Sequence, residues 1–201
     1  MNMPMKERWE WVQSWCDETA NRELPRVLLV GDSITRGYYD MVKRKLAGVC
    51  YVDYIATSYA VDSTIYNTIV KAMAADDEYA LIHINHGLHG QHMTKRTYKS
   101  KMKKLLVALS KNAPLILATT TNVYKYGTHR PDGAWMKRVR ERNAAVEELA
   151  GELNCPIDDL YSACLTIDWQ GRSIDGTHYE AGGYDILSDS VAESVKKALG
   201  K

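Results

Sequence analysis

The 201-residue sequence contains no phenylalanine, only four cysteines, and no excess of charge of either sign. No stretch approaches the roughly 18 consecutive apolar residues that a membrane-spanning helix needs, so no membrane partner is expected. The N-terminal segment MNMPMKERWEWVQSWCDETANREL lacks the uninterrupted apolar core of a signal peptide. The expectation is therefore a cytoplasmic protein, although a chain trimmed of a secretory leader would read the same. Cys16, Cys50, Cys155 and Cys164 show no CxxC spacing and are too sparse for a disulfide scaffold, so they read as free thiols, mostly buried. Lys plus Arg number 26 against 25 Asp plus Glu, a net charge of +1 with no long run of one sign. That balance supplies no pull toward a phosphate backbone and argues against a nucleic-acid partner. Neither GxGxxG nor GxxxxGK[ST] occurs, which removes the usual dinucleotide and triphosphate loops.

What is present is an alternation of short β-branched apolar runs with longer helical patterns, the signature of a parallel sheet wrapped by helices. The strand candidates are 26–30, 51–55, 79–84, 114–120 and, more weakly, 156–161; the helix candidates are 5–20, 36–47, 63–75, 95–111, 134–152 and 181–199. In the last helix Ile186, Leu187, Val191, Val195 and Leu199 recur at spacings of three and four, which makes one face able to pack on a sheet. In 95–111 a lysine-rich face reads as solvated. The chain is therefore expected to be one α/β domain, residues 1–201, with a helical extension over 1–24 packed on it. Its architecture is a three-layer α/β/α sandwich around a five-stranded parallel sheet of flavodoxin-like order 2-1-3-4-5. Trp9, Trp11 and Trp15 do not fall on one helical face, and they suit packing against the sandwich or a homo-oligomer contact.

Two segments carry chemistry. The first strand runs directly into Gly31-Asp32-Ser33-Ile34-Thr35-Arg36-Gly37, a strand-to-helix turn that leaves a hydroxyl exposed where backbone N–H groups and the helix dipole favour an oxyanion. Near the other end stands Asp175-Gly176-Thr177-His178, a carboxylate three residues before an imidazole on a loop tightened by glycine. Such a pair holds one ring nitrogen and leaves the other as a general base.

Together, GDSITRG at 31–37 and DGTHYEAGGY at 175–184 resemble the SGNH (GDSL) hydrolase family of esterases and lipases, and the resemblance covers nearly the whole chain. It implies that Ser33 is the nucleophile and that Asp175 and His178 complete a catalytic triad. It also implies an oxyanion hole formed by the Ser33 N–H, a backbone N–H from a second block and an asparagine from a third. Here the sequence departs from the family pattern. The second block, residues 56–62, has no glycine, so a donor near Ala60 or Val61 is expected from backbone that is at negative φ or differently routed. The third block reads Asn85-His86-Gly87-Leu88-His89-Gly90, with His89 where the family has asparagine. Asn85 and His89 are both able to donate an N–H; Asn85 is preferred because an amide donates at any pH.

In the expected strand order the crevice opens between the ends of the first and third strands, so Ser33 and the segment 85–89 face the same crevice. Asp32, Tyr124 and Trp169 are the expected substrate contacts. The connection 121–133 also carries Tyr126, His129 and Arg130, with Trp135 just after it and Arg172 before Asp175 as further candidate contacts, and its length suits a binding loop. His83, His86, His89 and His92 recur every third residue, but Gly87 and Gly90 interrupt any helix that would align them, so no metal is expected. A serine triad needs no cofactor. The expected activity is hydrolysis of short-chain acyl esters, O-acetyl above all, on a small molecule or oligosaccharide. A lysophospholipase or thioesterase for longer chains, and a carbohydrate-binding relative without catalysis, are the competing readings.

Overall fold

In the computed structural model, which describes residues 5–201, β2 (Arg26–Gly31) is buried at every position. A strand covered on both faces must be apolar throughout, which is why this run shows no alternation. β3 (Tyr51–Thr57) and β4 (Tyr79–Asn85) flank it in parallel, with Leu29 opposite Tyr54 on one side and His83 on the other. β5 (Leu115–Ala118) and β6 (Ile157–Asp158) extend the sheet beyond β4 in the same sense.

Successive β2 side chains divide between two cores. Val27 and Leu29 pack with α1 (Ser33–Lys45), α5 (Leu160–Leu165) and α6 (Ala181–Ala198). Leu28 and Val30 pack with α2 (Thr64–Asp76), α3 (Lys95–Leu109) and α4 (Gly133–Leu153). The result is the expected three-layer sandwich, with the loops that follow β2, β3 and β4 at one edge. The lysine face of α3 is paired rather than free: Lys95 and Lys103 reach Glu148 and Glu152 of α4 at 2.6 and 2.7 Å, and Lys99 bridges both glutamates.

Three expectations need correction. The sheet is six-stranded and mixed, not five-stranded and parallel, because β1 (Val12–Trp15) lies antiparallel on β3 in the order β1-β3-β2-β4-β5-β6. The N-terminal segment, expected as a helix, supplies that strand; residues 1–4 of the expected extension lie outside the described residues. All four β1 side chains are exposed, so its burial pattern carries no strand signal. Its conformation follows from the outer edge of β3, whose unpaired N–H and C=O groups it satisfies. Finally, the weak strand at 156–161 ends at Asp158, because Asp159 caps α5 by accepting the Ser162 N–H.

Candidate active site

The serine turn is built by backbone constraint. Gly31 ends β2 under the first turn of α1, where a Cβ would lie 1.9 Å from Thr35 Oγ1 and 2.5 Å from the Asn85 carbonyl oxygen. Only glycine fits so close an approach. Asp32 follows in an extended conformation and caps α1, its Oδ1 accepting the Ile34 N–H at 3.0 Å. The helix therefore starts three residues earlier than its apolar pattern suggests. Ser33 stands as its first residue, half-buried, at the positive end of the dipole. Asp32 itself is 1% exposed, so its carboxylate is enclosed beneath the serine and does not present itself to a ligand.

His178 meets this serine from the far end of the chain. Its Nε2 lies 2.8 Å from Ser33 Oγ, and its Nδ1 lies 2.6 Å from Asp175 Oδ2. The other carboxylate oxygen accepts the backbone N–H groups of Thr177 and His178 at 2.8 and 2.9 Å. Partial burial pushes the Asp175 carboxyl up, but these hydrogen bonds and the neighbouring imidazole outweigh it, and the group sits below the ordinary carboxylate range. An ionised Asp175 only accepts hydrogen bonds. Nδ1 therefore carries a proton, and Nε2 is the basic nitrogen toward the serine.

The long connection after β5 has a definite structural task. Tyr124 N–H donates to the Gly176 carbonyl and Gly127 N–H to the Ile174 carbonyl, both at 2.8 Å. These bonds clamp the loop that carries Asp175. Gly176 has φ +78°, and a Cβ there would meet the Tyr124 carbonyl oxygen at 2.2 Å, so the clamp depends on glycine. Behind the loop, buried Arg172 donates to Asn122 Oδ1 at 2.8 Å, with its guanidinium 4.6 Å from the centre of the Tyr124 ring. Tyr124 thus packs against the support of the triad. Trp169 stacks on His129 at 3.8 Å between ring centres, which joins the same connection to the segment before Asp175. Sequence reasoning misses Asn122, and it places Arg172 at the mouth as a carboxylate binder, whereas the guanidinium is buried and meets Asn122 across 50 residues.

The second and third blocks lie beside the serine turn. Val61 is buried in the loop after β3, whose backbone nowhere adopts positive φ, the first of the two alternatives that its lack of glycine allows. Asn85 faces inward at the end of β4, with its side chain beside the buried Tyr38 hydroxyl and its Nδ2 without a partner. His86 stacks on Tyr66 at 4.4 Å between ring centres, and burial pushes its pKa down to about 4. The ring of His89 lies 6.0 Å from that of His86, and its Nδ1 is 2.9 Å from Glu7 Oε1. Glu7 belongs to the N-terminal arm, which is fastened across the end of β3. Ser58 Oγ donates to Glu10 Oε2 at 2.8 Å and accepts the Trp11 N–H at 2.9 Å.

The other two histidines of the triplet series go elsewhere: His83 pairs with Asp158 and His92 with Asp62, each at 2.8 Å. Among the described residues no group of three or more His, Cys, Asp or Glu side chains converges as a metal would require. A cavity of about 240 Å³ opens where the arm meets the third block, lined by Glu7, Glu10, Ser58, Gly90, His92 and Trp135 among others. A larger one, about 670 Å³, lies at the opposite edge of the sheet around Arg22, Pro25 and Asp77, remote from the serine. Among the described residues no helix is long and apolar enough to cross a membrane.

No protein-family model matches the chain, and no curated protein matches it. Solved structures do. A Bacteroides fragilis protein assigned as an acylhydrolase superposes over 87% of this chain and 88% of its own, at 18% identity and TM-score 0.70. The lipase/acylhydrolase from Enterococcus faecalis matches over 86% of this chain and 96% of its own, at 19% identity and TM-score 0.66. Axe2, an acetylxylan esterase from Geobacillus stearothermophilus, matches over 88% and 94%, at 16% identity and TM-score 0.65. The chain therefore shares the fold of the GDSL-like lipases and acylhydrolases.

Proposed function

We propose that the protein is a carboxylic ester hydrolase of the SGNH (GDSL) type that removes short acyl groups, O-acetyl above all, from a carbohydrate through an acyl-enzyme. The observation that carries this reading is the continuous contact from Ser33 Oγ through the His178 ring to Asp175, at 2.8 and 2.6 Å. Ser33 Oγ attacks the ester carbonyl while His178 Nε2 takes its proton, and Asp175 holds the ring through Nδ1–H and stabilises the imidazolium that forms. The oxyanion is received by the Ser33 N–H at the start of α1, a backbone N–H near Val61, and a side chain of the third block. Collapse expels the alcohol, which leaves with the proton from His178. Water then attacks the acyl carbon with His178 again as base, and acetate and free Ser33 result.

The third-block donor is His89 in this reading. Asn85 Nδ2 and His89 Nε2 are both buried without a partner, but Asn85 is wholly buried at the end of β4 beside Tyr38, whereas His89 is only partly buried and belongs to the loop that follows the strand. The carbohydrate preference is supported by the likeness to an acetylxylan esterase, and the nucleophile by a neighbour described as a catalytic mutant of that enzyme with serine replaced by alanine. The reaction needs no metal or cofactor.

The test is acetate release from acetylated xylo-oligosaccharides, together with a chain-length series of p-nitrophenyl esters, for the parent and Ser33→Ala. Serine-dependent release that peaks at the acetyl ester is expected. A preference for long acyl chains would point to a lysophospholipase or thioesterase. Failure of Ser33 to react with a fluorophosphonate probe would sink the mechanism in favour of a binding role.

A further inference from the structure

Glu7 and His89 form a second carboxylate–imidazole pair at the crevice, and its geometry sets a condition on the oxyanion hole. Glu7 is held in place by the arm: its own N–H donates to Glu10 Oε1 at 2.9 Å, and Glu10 in turn is fixed by Ser58. Burial pushes the Glu7 carboxyl up, but the hydrogen bond and charge of His89 and the Gly90 N–H bring it below the ordinary glutamate value, so it is ionised near neutral pH.

An ionised carboxylate only accepts, so the His89 Nδ1 that faces it carries a proton. If the ring is neutral, this tautomer leaves Nε2 as a bare lone pair, which is the wrong polarity for an oxyanion. Only the imidazolium offers an N–H at Nε2. That nitrogen is buried and without a hydrogen-bond partner in the protein. The loop that carries it follows β4 at the sheet edge where Ser33 follows β2, and Gly31 and Asn85 are paired across the two strands. Asp32, next to the nucleophile, is among the charges that act on the ring.

On the esterase reading above, we infer that Glu7 is a positioning residue that holds His89 as an imidazolium, so that Nε2–H is available to the oxyanion formed at Ser33. The hole then contains a titrating cation where an asparagine would supply a neutral amide, and the antiparallel edge strand has a role in catalysis because it delivers Glu7. The surrounding charges agree. Burial pushes the His89 ring down, but the Glu7 hydrogen bond and the carboxylates of Asp32, Glu7 and Glu10 more than reverse this, and the net shift is upward. His86, on the same loop, is the opposing group, and its own depressed pKa keeps it neutral.

The sign follows directly. His89 is a donor at low pH and loses the donating proton as pH rises through its elevated pKa, whereas His178 must be deprotonated to act as a base. The rate is therefore bell-shaped, with His89 on the alkaline limb.

The experiment measures kcat and KM for acetate release across about pH 5 to 10 in the parent, Glu7→Gln, His89→Asn and the double variant. In Glu7→Gln the alkaline limb is expected to move to lower pH, with kcat at pH 8 down about tenfold and KM little changed. His89→Asn, whose amide donates at every pH, is expected to lack that limb and to make Glu7→Gln silent. A Glu7→Gln profile that overlays the parent would overturn the inference while leaving the esterase intact. So would a Glu7→Gln defect that persists beside His89→Asn, since the carboxylate would then only tether the arm. If the parent shows no Ser33-dependent release, the esterase reading fails and the inference falls with it. An NMR titration of the His89 ring gives a check independent of turnover and of how the variants fold. A value in the parent at or below the ordinary histidine value of about 6.5 overturns the inference.

Discussion

His178 with Asp175 and His83 with Asp158 are the same chemical couple in two parts of one molecule, at 2.6 and 2.8 Å. One stands at the rim with 36% of the imidazole exposed, and the other is sealed between β4 and β6 with 0% exposed. The difference that matters lies at the second ring nitrogen. In His178 it meets Ser33 Oγ at 2.8 Å, whereas in His83 it is buried and meets nothing. Asp158 is further held by Ser190 Oγ at 2.6 Å, which completes an interior cluster of Ser, Asp and His with the carboxylate in the middle. A carboxylate that orients an imidazole is thus not in itself a sign of catalysis. The rim pair is poised for chemistry because a nucleophile and solvent reach the free nitrogen, and the interior pair ties the last strand and helix to the sheet.

Exchanging the effects of the two pairs is the direct way to break this contrast. His178→Ala is expected to lower kcat by about 10⁴-fold or more while leaving the melting temperature almost unchanged. Acetate release and a thermal melt on the same sample check both halves. His83→Ala should do the reverse, removing about 3–5 kcal/mol of unfolding free energy in a urea titration because it leaves a buried carboxyl without its partner. The kcat of the folded fraction should stay at the parent value, and a large loss there would make His83 part of the machinery.

A third histidine sharpens the comparison, since His86 is buried with no carboxylate bonded to its ring. Burial holds its pKa at about 4, whereas in the unfolded chain an ordinary histidine binds a proton near 6.5. Between these values the unfolded state binds more protons, so stability falls as pH drops from about 6.5 and levels off below about 4. The total expected loss is roughly 3 kcal/mol. Replacement by Gln should flatten that part of the pH–stability curve; an unchanged slope would show that another group is responsible. The smallest effect is expected where only the support of the rim pair is touched. Gly176→Ala should lower kcat up to about 10²-fold by displacing Asp175, with a melting temperature lower by about 2–4 °C or more from the strained backbone.

The rim pair is legible in the sequence because its parts are close in the chain: Asp175 stands three positions before His178, and Ser33 sits on a recognisable strand-to-helix turn. The interior pair, 75 residues apart, and the Glu7–His89 contact, 82 residues apart, leave no local trace. The regularity of His83, His86, His89 and His92 misleads as a pattern, since each ring goes to a different neighbour. The choice between Asn85 and His89 turns on where each side chain sits around the end of β4, which amide chemistry alone does not report. The N-terminal arm reads as a helix because nothing in its side chains distinguishes a strand exposed on all sides. Its partner is the backbone edge of β3, which no side-chain pattern reports.

Hydrophobic periodicity, short-range capping and the turn glycines are properties of neighbouring residues, and so the sequence alone determined the layered α/β architecture, its five parallel strands and the turn that carries Ser33. Which nitrogen of which histidine meets a nucleophile, a carboxylate or nothing depends on groups brought together from opposite ends of the chain. Those meetings were decided only when the sheet closed its edge with β1, and when the loop after β5 clamped Asp175 and His178 over the start of α1.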